Sequence, residues 1–265
     1  MLLTFDLDGT LIRGPFGVGV FPAVAAEFKA ALSRQGTPIP DHFDRQLKER
    51  FLQEHRRREA SPNRYTAYDW DDIALTVSRQ LGIDVAVDIV QILHTVCAPT
   101  TCHLKPGAQE LLAYLQHQGQ TMTVLTNGFH KYQHIILRYL GIHHYFDDII
   151  APDRLHQAKP DREIFDAVRQ HAPAHQVCHI GDSLAMDILG AKQAGCMAIW
   201  IAPHLPDDLR QYAPQDRARS PHYLPHLQRT SAELFHTSAQ SLDQFRPEYV
   251  ITDLRDIIPL YSDLH

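Results

Sequence analysis

Residues 176–202, QVCHIGDSLAMDILGAKQAGCMAIWIA, hold the pattern that decides the fold. QVCHIGD (176–182) is an apolar run that ends on Gly-Asp, and CMAIWIA (196–202) is a second apolar run. Between them SLAMDILGAKQAG places its apolar residues at helical spacing. A strand, a helix and a strand in succession signal a βαβ unit and a parallel sheet.

The alternation continues towards the N-terminus. KPGAQELLAYLQHQGQ reads as a helix, with Pro106 near its start and Gly119 near its end. TMTVLTN (121–127) reads as a strand, HKYQHIILRYLG as a helix, FDDIIA as a short strand and DREIFDAVRQHA as a helix. LLTFD (2–6) is one more buried strand. The expected fold class is therefore α/β, a Rossmann-like parallel sheet with helices on both faces.

From about Phe21 to Val96 the pattern is almost purely helical. AVAAEFKAALSRQ, FDRQLKERFLQEHRRRE, YDWDDIALTVSRQLGI and VAVDIVQILHTV follow one another, and Gly82 is placed to end one helix. GPFGVGV (14–20), rich in glycine, reads as a mobile loop or tight hairpin. The stretch from His204 to Phe245 reads as an irregular, polar surface excursion, with EYVITDLRDIIPLY as a last strand and helix. The expected organisation is a core of residues 1–13 and 103–265, with 204–246 as the excursion, interrupted by a helical insert of residues 14–102. An insertion after the first strand sits at that strand's carboxyl end, where open parallel sheets bind ligands. The insert is placed to act as a lid.

The polar residues that end these strands meet at one edge. Asp6 ends the first strand, Thr126 and Asn127 end TMTVLTN, and Asp182 ends QVCHIGD; the loop QAKPD brings Lys159 to the same edge. Asp6, Asp8, Asp182 and Asp187 cannot all ionise together without a neutralising cation. Hard carboxylate oxygens favour Mg2+. A metal, a lysine, a hydroxyl and backbone amides around one point make a phosphoryl-binding site. One carboxylate there can attack phosphorus, and a second two positions on can protonate the leaving oxygen.

Asp6-Leu7-Asp8-Gly9-Thr10, Thr126-Asn127-Gly128, Lys159-Pro160 and Gly181-Asp182 with Asp187 resemble the four ordered motifs of the haloacid dehalogenase-like (HAD) hydrolases. The insert resembles that family's C1-type cap, and GPFGVGV its squiggle and flap. The resemblance covers roughly residues 1–203 and 247–262. It implies a nucleophile and Mg2+ ligand at Asp6. It implies a general acid/base at Asp8, whose backbone carbonyl also meets the metal. Thr126 and Asn127 would bind the phosphoryl group, and Lys159 would bridge Asp6 and the phosphoryl oxygens. Asp182 would ligate Mg2+, and Asp187 would do so directly or through water. The dehalogenases that name the family lack an acid two positions after the nucleophile. Asp8 therefore favours phosphate ester hydrolysis. A phosphomutase, a dehalogenase and a catalytically silent binding protein on the same fold stay open as alternatives.

The rest of the sequence sets bounds. With a formal net charge of -6, no global basic surface recruits nucleic acid or an anionic membrane. HRRRE (55–59) is the one basic run and reads as a solvated helix face. There is no signal-peptide pattern and no run of 18 apolar residues. Cys97, Cys102, Cys178 and Cys196 are scattered, as in a reducing cytoplasm. HTVCAPTTCH (94–103), with His94, Cys97, Cys102 and His103, reads as a hinge rather than a zinc site. His204, His222, His226 and His236 read as surface residues of the excursion. Arg64, Tyr65, Tyr68 and Trp70 in RYTAYDW could stack on a base or sugar, or pack between helices. The expected partner is a small phosphorylated metabolite, with no nucleic acid and no membrane. Oligomeric state is left open.

Overall fold

The computed structural model describes residues 1–168, 172–230 and 242–264. Its strands are β1 (Leu2–Phe5), β2 (Ile12–Arg13), β3 (His103–Leu104), β4 (Met122–Leu125), β5 (Asp148–Ile150), β6 (Val177–Gly181), β7 (Met197–Ile201) and β8 (Tyr249–Ile251). Six of them form one sheet in the order β5-β4-β1-β6-β7-β8, and every pairing within it is parallel. The sheet is the Rossmann-like α/β core that the alternation predicts.

Side chains alternate across the strands, as a period of two requires. Leu3, Phe5, Val124, Ile180 and Ile199 pack on one face. Leu2, Leu125, Val177, Ala198 and Trp200 pack on the other. Helices α5 (Ala108–His117) and α6 (His130–Tyr139) cover the first face. A short helix α7 (Pro152–Leu155) follows β5, and α8 (Arg162–Val168) and α9 (Leu189–Gln193) cover the second face. Both faces are thus dry, as a parallel sheet demands.

The regular elements between β2 and β3 are all helical, chiefly α1 (Phe21–Arg34), α2 (Phe43–Glu59), α3 (Trp70–Leu81) and α4 (Ile89–Val96). Asp69 caps α3 and Asp88 caps α4 by accepting backbone N–H groups, and Gly82 ends α3 with a φ of 65°. Val24, Phe28, Phe51, Ile73, Val77 and Leu93 bury one side of each helix in an apolar cluster continuous with the first face of the sheet. Phe16–Arg34 is long and apolar enough to cross a bilayer by length and composition alone. Here Val24, Ala25, Phe28, Ala31 and Leu32 turn it inward as a packed helix.

Three expectations need correction. GPFGVGV is neither loop nor hairpin. Residues 16–20 form a wide helical turn that runs into α1, because the Pro15 carbonyl accepts the N–H groups of Gly19 and Val20. The two-stranded pairing is instead β2 with β3, which carry the chain into and out of the insert. HRRRE is not wholly solvated. Arg58 is buried and ion-paired, His55 stacks on Trp70, and only Arg56 and Arg57 stand in water. Nor are the described residues of the stretch after His204 a surface excursion. They form α10 (Asp207–Arg210), α11 (Pro214–Arg217) and α12 (Tyr223–Thr230), and Leu205, Leu209, Ala218, Tyr223, Leu227 and Phe245 join the core of the second face. Buried Arg217 donates to the Val250 carbonyl of β8 at 2.8 Å. His226 is buried there too, while His236 lies outside the described residues.

Candidate active site

All seven residues singled out above line one cleft of about 450 Å3 at the carboxyl edge of β1, β4 and β6. The chain turns sharply after Asp6. The Leu7 carbonyl accepts the N–H groups of Thr10, Leu11 and Ile12, and Gly9 adopts a φ of 96°. A Cβ at Gly9 would lie 2.3 Å from an Asp182 oxygen, so only glycine lets the first loop approach the third. Thr10 completes that contact by donating to Asp182 Oδ1 at 3.2 Å.

Lys159 is the centre of the charge arrangement. Its ammonium is buried and donates to Asp6 Oδ1 at 2.7 Å and to Asp187 Oδ1 at 2.6 Å. Burial opposes its charge, yet Asp187 and Asp6 hold it above its ordinary range. Asn127 fastens the lysine's backbone. Its Oδ1 accepts the Lys159 N–H at 2.7 Å, and its Nδ2 donates to the Lys159 carbonyl at 3.0 Å. The Thr126 hydroxyl sits at the same loop and accepts from the Gly128 N–H.

The carboxyls are unevenly held. Burial raises Asp6 more than neighbouring Lys159 lowers it. Asp8 and Asp182 are solvent-accessible but stand deep between the cleft walls. Burial there, followed by the negative charge of Asp6, pushes Asp8 up to about 6 and Asp182 up to about 7. Asp187 is the exception. Burial would raise it, but Lys159 and His179 hold it below the usual carboxylate range.

Four carboxylates against one ammonium leave a deficit of positive charge, and the carboxyls that rise express it. Asp6, Asp182 and Asp187 place ligand oxygens within 4.8 Å of one another, the one such grouping among the described residues. An all-oxygen donor set of this kind fits Mg2+. Asp187 already accepts from Lys159, from His179 and, on Oδ2, from the Ser183 N–H at 2.9 Å. Its oxygens are the most fully engaged of the three, which suits contact through water. HTVCAPTTCH forms no such grouping, and its cysteines are free.

Three contributors escaped the sequence reading. Gln133 on α6 donates to Asp8 Oδ2 at 3.2 Å and is buried. His179 on β6 lies beneath the site, its Nε2 3.0 Å from Asp187 Oδ1 and its Nδ1 2.9 Å from Thr4 Oγ1. Burial lowers its pKa, so the neutral ring donates to Asp187 and accepts from Thr4. Trp200 on β7 donates to the Asp182 carbonyl at 2.9 Å and meets Tyr223 edge to face. Gln133 and His179 had a signal: each is a polar residue on an otherwise apolar stripe.

The insert reaches the same cleft. Tyr68 donates to Glu59 Oε1 at 3.0 Å and accepts from Asn127 Nδ2 at 2.8 Å. Of the RYTAYDW residues, Tyr68 and Trp70 line the cleft, while Arg64 pairs with Asp161 and Tyr65 packs on His156.

The haloacid dehalogenase-like hydrolase family model matches residues 1–195. This chain belongs to that family. A pyrimidine 5'-nucleotidase of Escherichia coli is 30% identical over 135 residues, a match that covers 50% of this chain and 57% of that one. A phosphoglycolate phosphatase of Vibrio cholerae is 34% identical over 212 residues, covering 76% of this chain and 83% of its own. A HAD phosphatase from Thermococcus onnurineus shares the fold, with a TM-score of 0.67 and 22% identity over 98% of this chain and 97% of that one. Haloacid dehalogenases share the fold as well, at 15–23% identity.

Proposed function

We propose that the chain is a Mg2+-dependent phosphatase that hydrolyses a small phosphorylated metabolite through an aspartyl-phosphate intermediate. The observation that carries the reading is Asp8. It opens into the same cleft as Asp6, is accessible to solvent, and is oriented by the Gln133 amide. A departing alkoxide needs a proton, whereas a departing halide does not. An acid held at that place fits an ester leaving group.

In this reading Asp6 attacks phosphorus and the bond to the ester oxygen breaks. Asp8 gives that oxygen its proton. Asp8 then takes a proton from water, which attacks phosphorus, frees phosphate and restores the Asp6 carboxylate. Thr126, Asn127 and Lys159 hold the phosphoryl oxygens. Mg2+ would be held by Asp6, the Asp8 carbonyl, Asp182 and Asp187, and would offset the charge that gathers on the phosphoryl group. The insert, residues 14–102, acts as the cap over a core of 1–13 and 103–265. That Cys97, Cys102, Cys178 and Cys196 form no disulfide supports a reducing, cytoplasmic setting.

The test is phosphate release from a panel of phosphate monoesters, with Mg2+ and with EDTA, on wild type and Asp6→Asn. We expect metal-dependent release that falls about a thousandfold or more in the variant, with an unchanged circular dichroism spectrum. Near-normal release by Asp6→Asn would sink the reading. Halide release from a 2-haloacid would favour the dehalogenase, and an isomeric phosphate ester the mutase. Inactivity in all three assays would leave a binding protein.

A further inference from the structure

We infer that the cleft selects phosphate monoesters whose alcohol carries no anionic group: an uncharged, hydroxyl-bearing leaving group that donates to Glu59 and lies against Phe16 and Trp70. The inference deepens the phosphatase reading and rests on it.

The leaving group must sit on the insert's side of the cleft, because the core's side is taken by the phosphoryl-binding residues. The cleft, at about 450 Å3, has room for a sugar-sized alcohol beyond the phosphoryl group. Its insert wall is formed by Phe16, Glu59, Tyr68 and Trp70. Phe16 and Trp70 are in ring contact at 6.0 Å, and His55 stacks behind Trp70 at 5.2 Å, so the aromatic wall is braced.

The polar capacity of that wall is one-sided. The Tyr68 hydroxyl is already spent, donating to Glu59 and accepting from Asn127. Glu59 ends α2 with its side chain 31% exposed. Beyond the Tyr68 bond, and His55 Nε2 at 3.5 Å from its Oε1, the carboxylate has acceptor capacity to offer. It can receive hydroxyl donors.

Among the described residues, no cation stands ready for an anion at this wall. Lys159 is the one basic side chain of the lining among the described residues, and it is engaged by Asp6 and Asp187. Arg64 is paired with Asp161, and Lys131 with Asp69 and Asp71. A carboxylate or second phosphate on the leaving group would face Glu59 without a counter-charge. Like charges so placed reject a ligand that fits by shape.

The test uses pairs of esters matched in size. Glycerol 3-phosphate is set against 3-phosphoglycerate and glucose 6-phosphate against 6-phosphogluconate, with 4-nitrophenyl phosphate as a general probe, all with Mg2+. For wild type we expect kcat/KM to favour the neutral member of each pair on the order of tenfold or more, as for two like charges a few ångströms apart at a half-exposed site. Glu59→Gln keeps an acceptor for Tyr68 and removes the charge. It should bring the ratio to within about threefold, chiefly by lowering KM for the carboxylate esters. An even or reversed wild-type ratio, or a ratio that Glu59→Gln leaves unchanged, overturns the inference while the phosphatase reading stands. No release from any ester, 4-nitrophenyl phosphate included, overturns both.

Discussion

Two clusters of charged side chains are built round buried members, Glu54 with Arg58 and Lys159 with Asp6 and Asp187, and they are balanced in opposite ways. In the insert, Glu54 accepts from Arg57 at 2.7 Å and from Arg58 at 2.8 Å, and Arg58 reaches on to Asp72 at 2.7 Å. Arg58 also donates to the Thr66 carbonyl and the Thr76 hydroxyl. Two acids meet two bases, every strong donor has a partner, and the cluster ties α2 to α3. At the sheet edge, four carboxylates share one ammonium. The first arrangement is complete in itself. The second is short of positive charge among the described residues, the deficit that the proposed Mg2+ would fill. Balance, rather than the number of charges, separates a structural ion cluster from a site.

Lys159→Met is the most severe way to press this contrast. It leaves Asp6 and Asp187 buried without their counter-charge. We expect a loss of about 3–5 kcal/mol in urea unfolding, together with loss of turnover. A loss below about 1 kcal/mol would mean that the acidic cluster does not depend on its lysine. Arg58→Met probes the insert. Arg57 remains on Glu54, so the expected cost is smaller, about 2 kcal/mol in the same assay. Equal losses in the two variants would erase the distinction.

The finest test is pH. The hydrogen bonds from Arg57, and then those from Arg58, draw Glu54 down to about 2 from an ordinary 4.5. A depressed carboxyl stabilises the fold above its unfolded pKa, and that contribution fades as pH falls through the folded value. The stability difference between wild type and Glu54→Gln should therefore be full above about pH 4.5 and shrink as pH falls towards about 2. A difference that stays constant across urea midpoints at pH 5.5, 4.5 and 3.5 would show that the charge of Glu54 contributes nothing.

The sheet and the meeting of Asp6, Thr126, Lys159 and Asp182 at one edge were legible because they follow from local patterns. Strand ends in a parallel sheet share an edge whatever the strand order. The order β5-β4-β1-β6-β7-β8 was not legible, since hydrophobic runs do not name their neighbours. Gln133, His179 and Glu59 were missed for a related reason. Gln133 meets Asp8 from 125 residues away, while His179 and Glu59 act through Asp187 and Tyr68, whose place at the cleft only the packed fold sets. GPFGVGV misled because glycine content signals freedom, while the structure engages that stretch through the Pro15 carbonyl. The stretch after His204 misled because its apolar residues are too sparse to show a period, yet Leu205, Leu209, Tyr223 and Leu227 are enough to seal one face.

That last segment has a bearing on any attempt to trim or transplant this protein. The family match ends at residue 195, and Trp200 and the helices from Asp207 to Thr230 lie beyond it. Yet Tyr223 and His226 pack against the Trp200 indole, and that indole holds the carbonyl of Asp182. A chimera cut at the shared boundary would keep all four motifs and lose the brace behind the last of them.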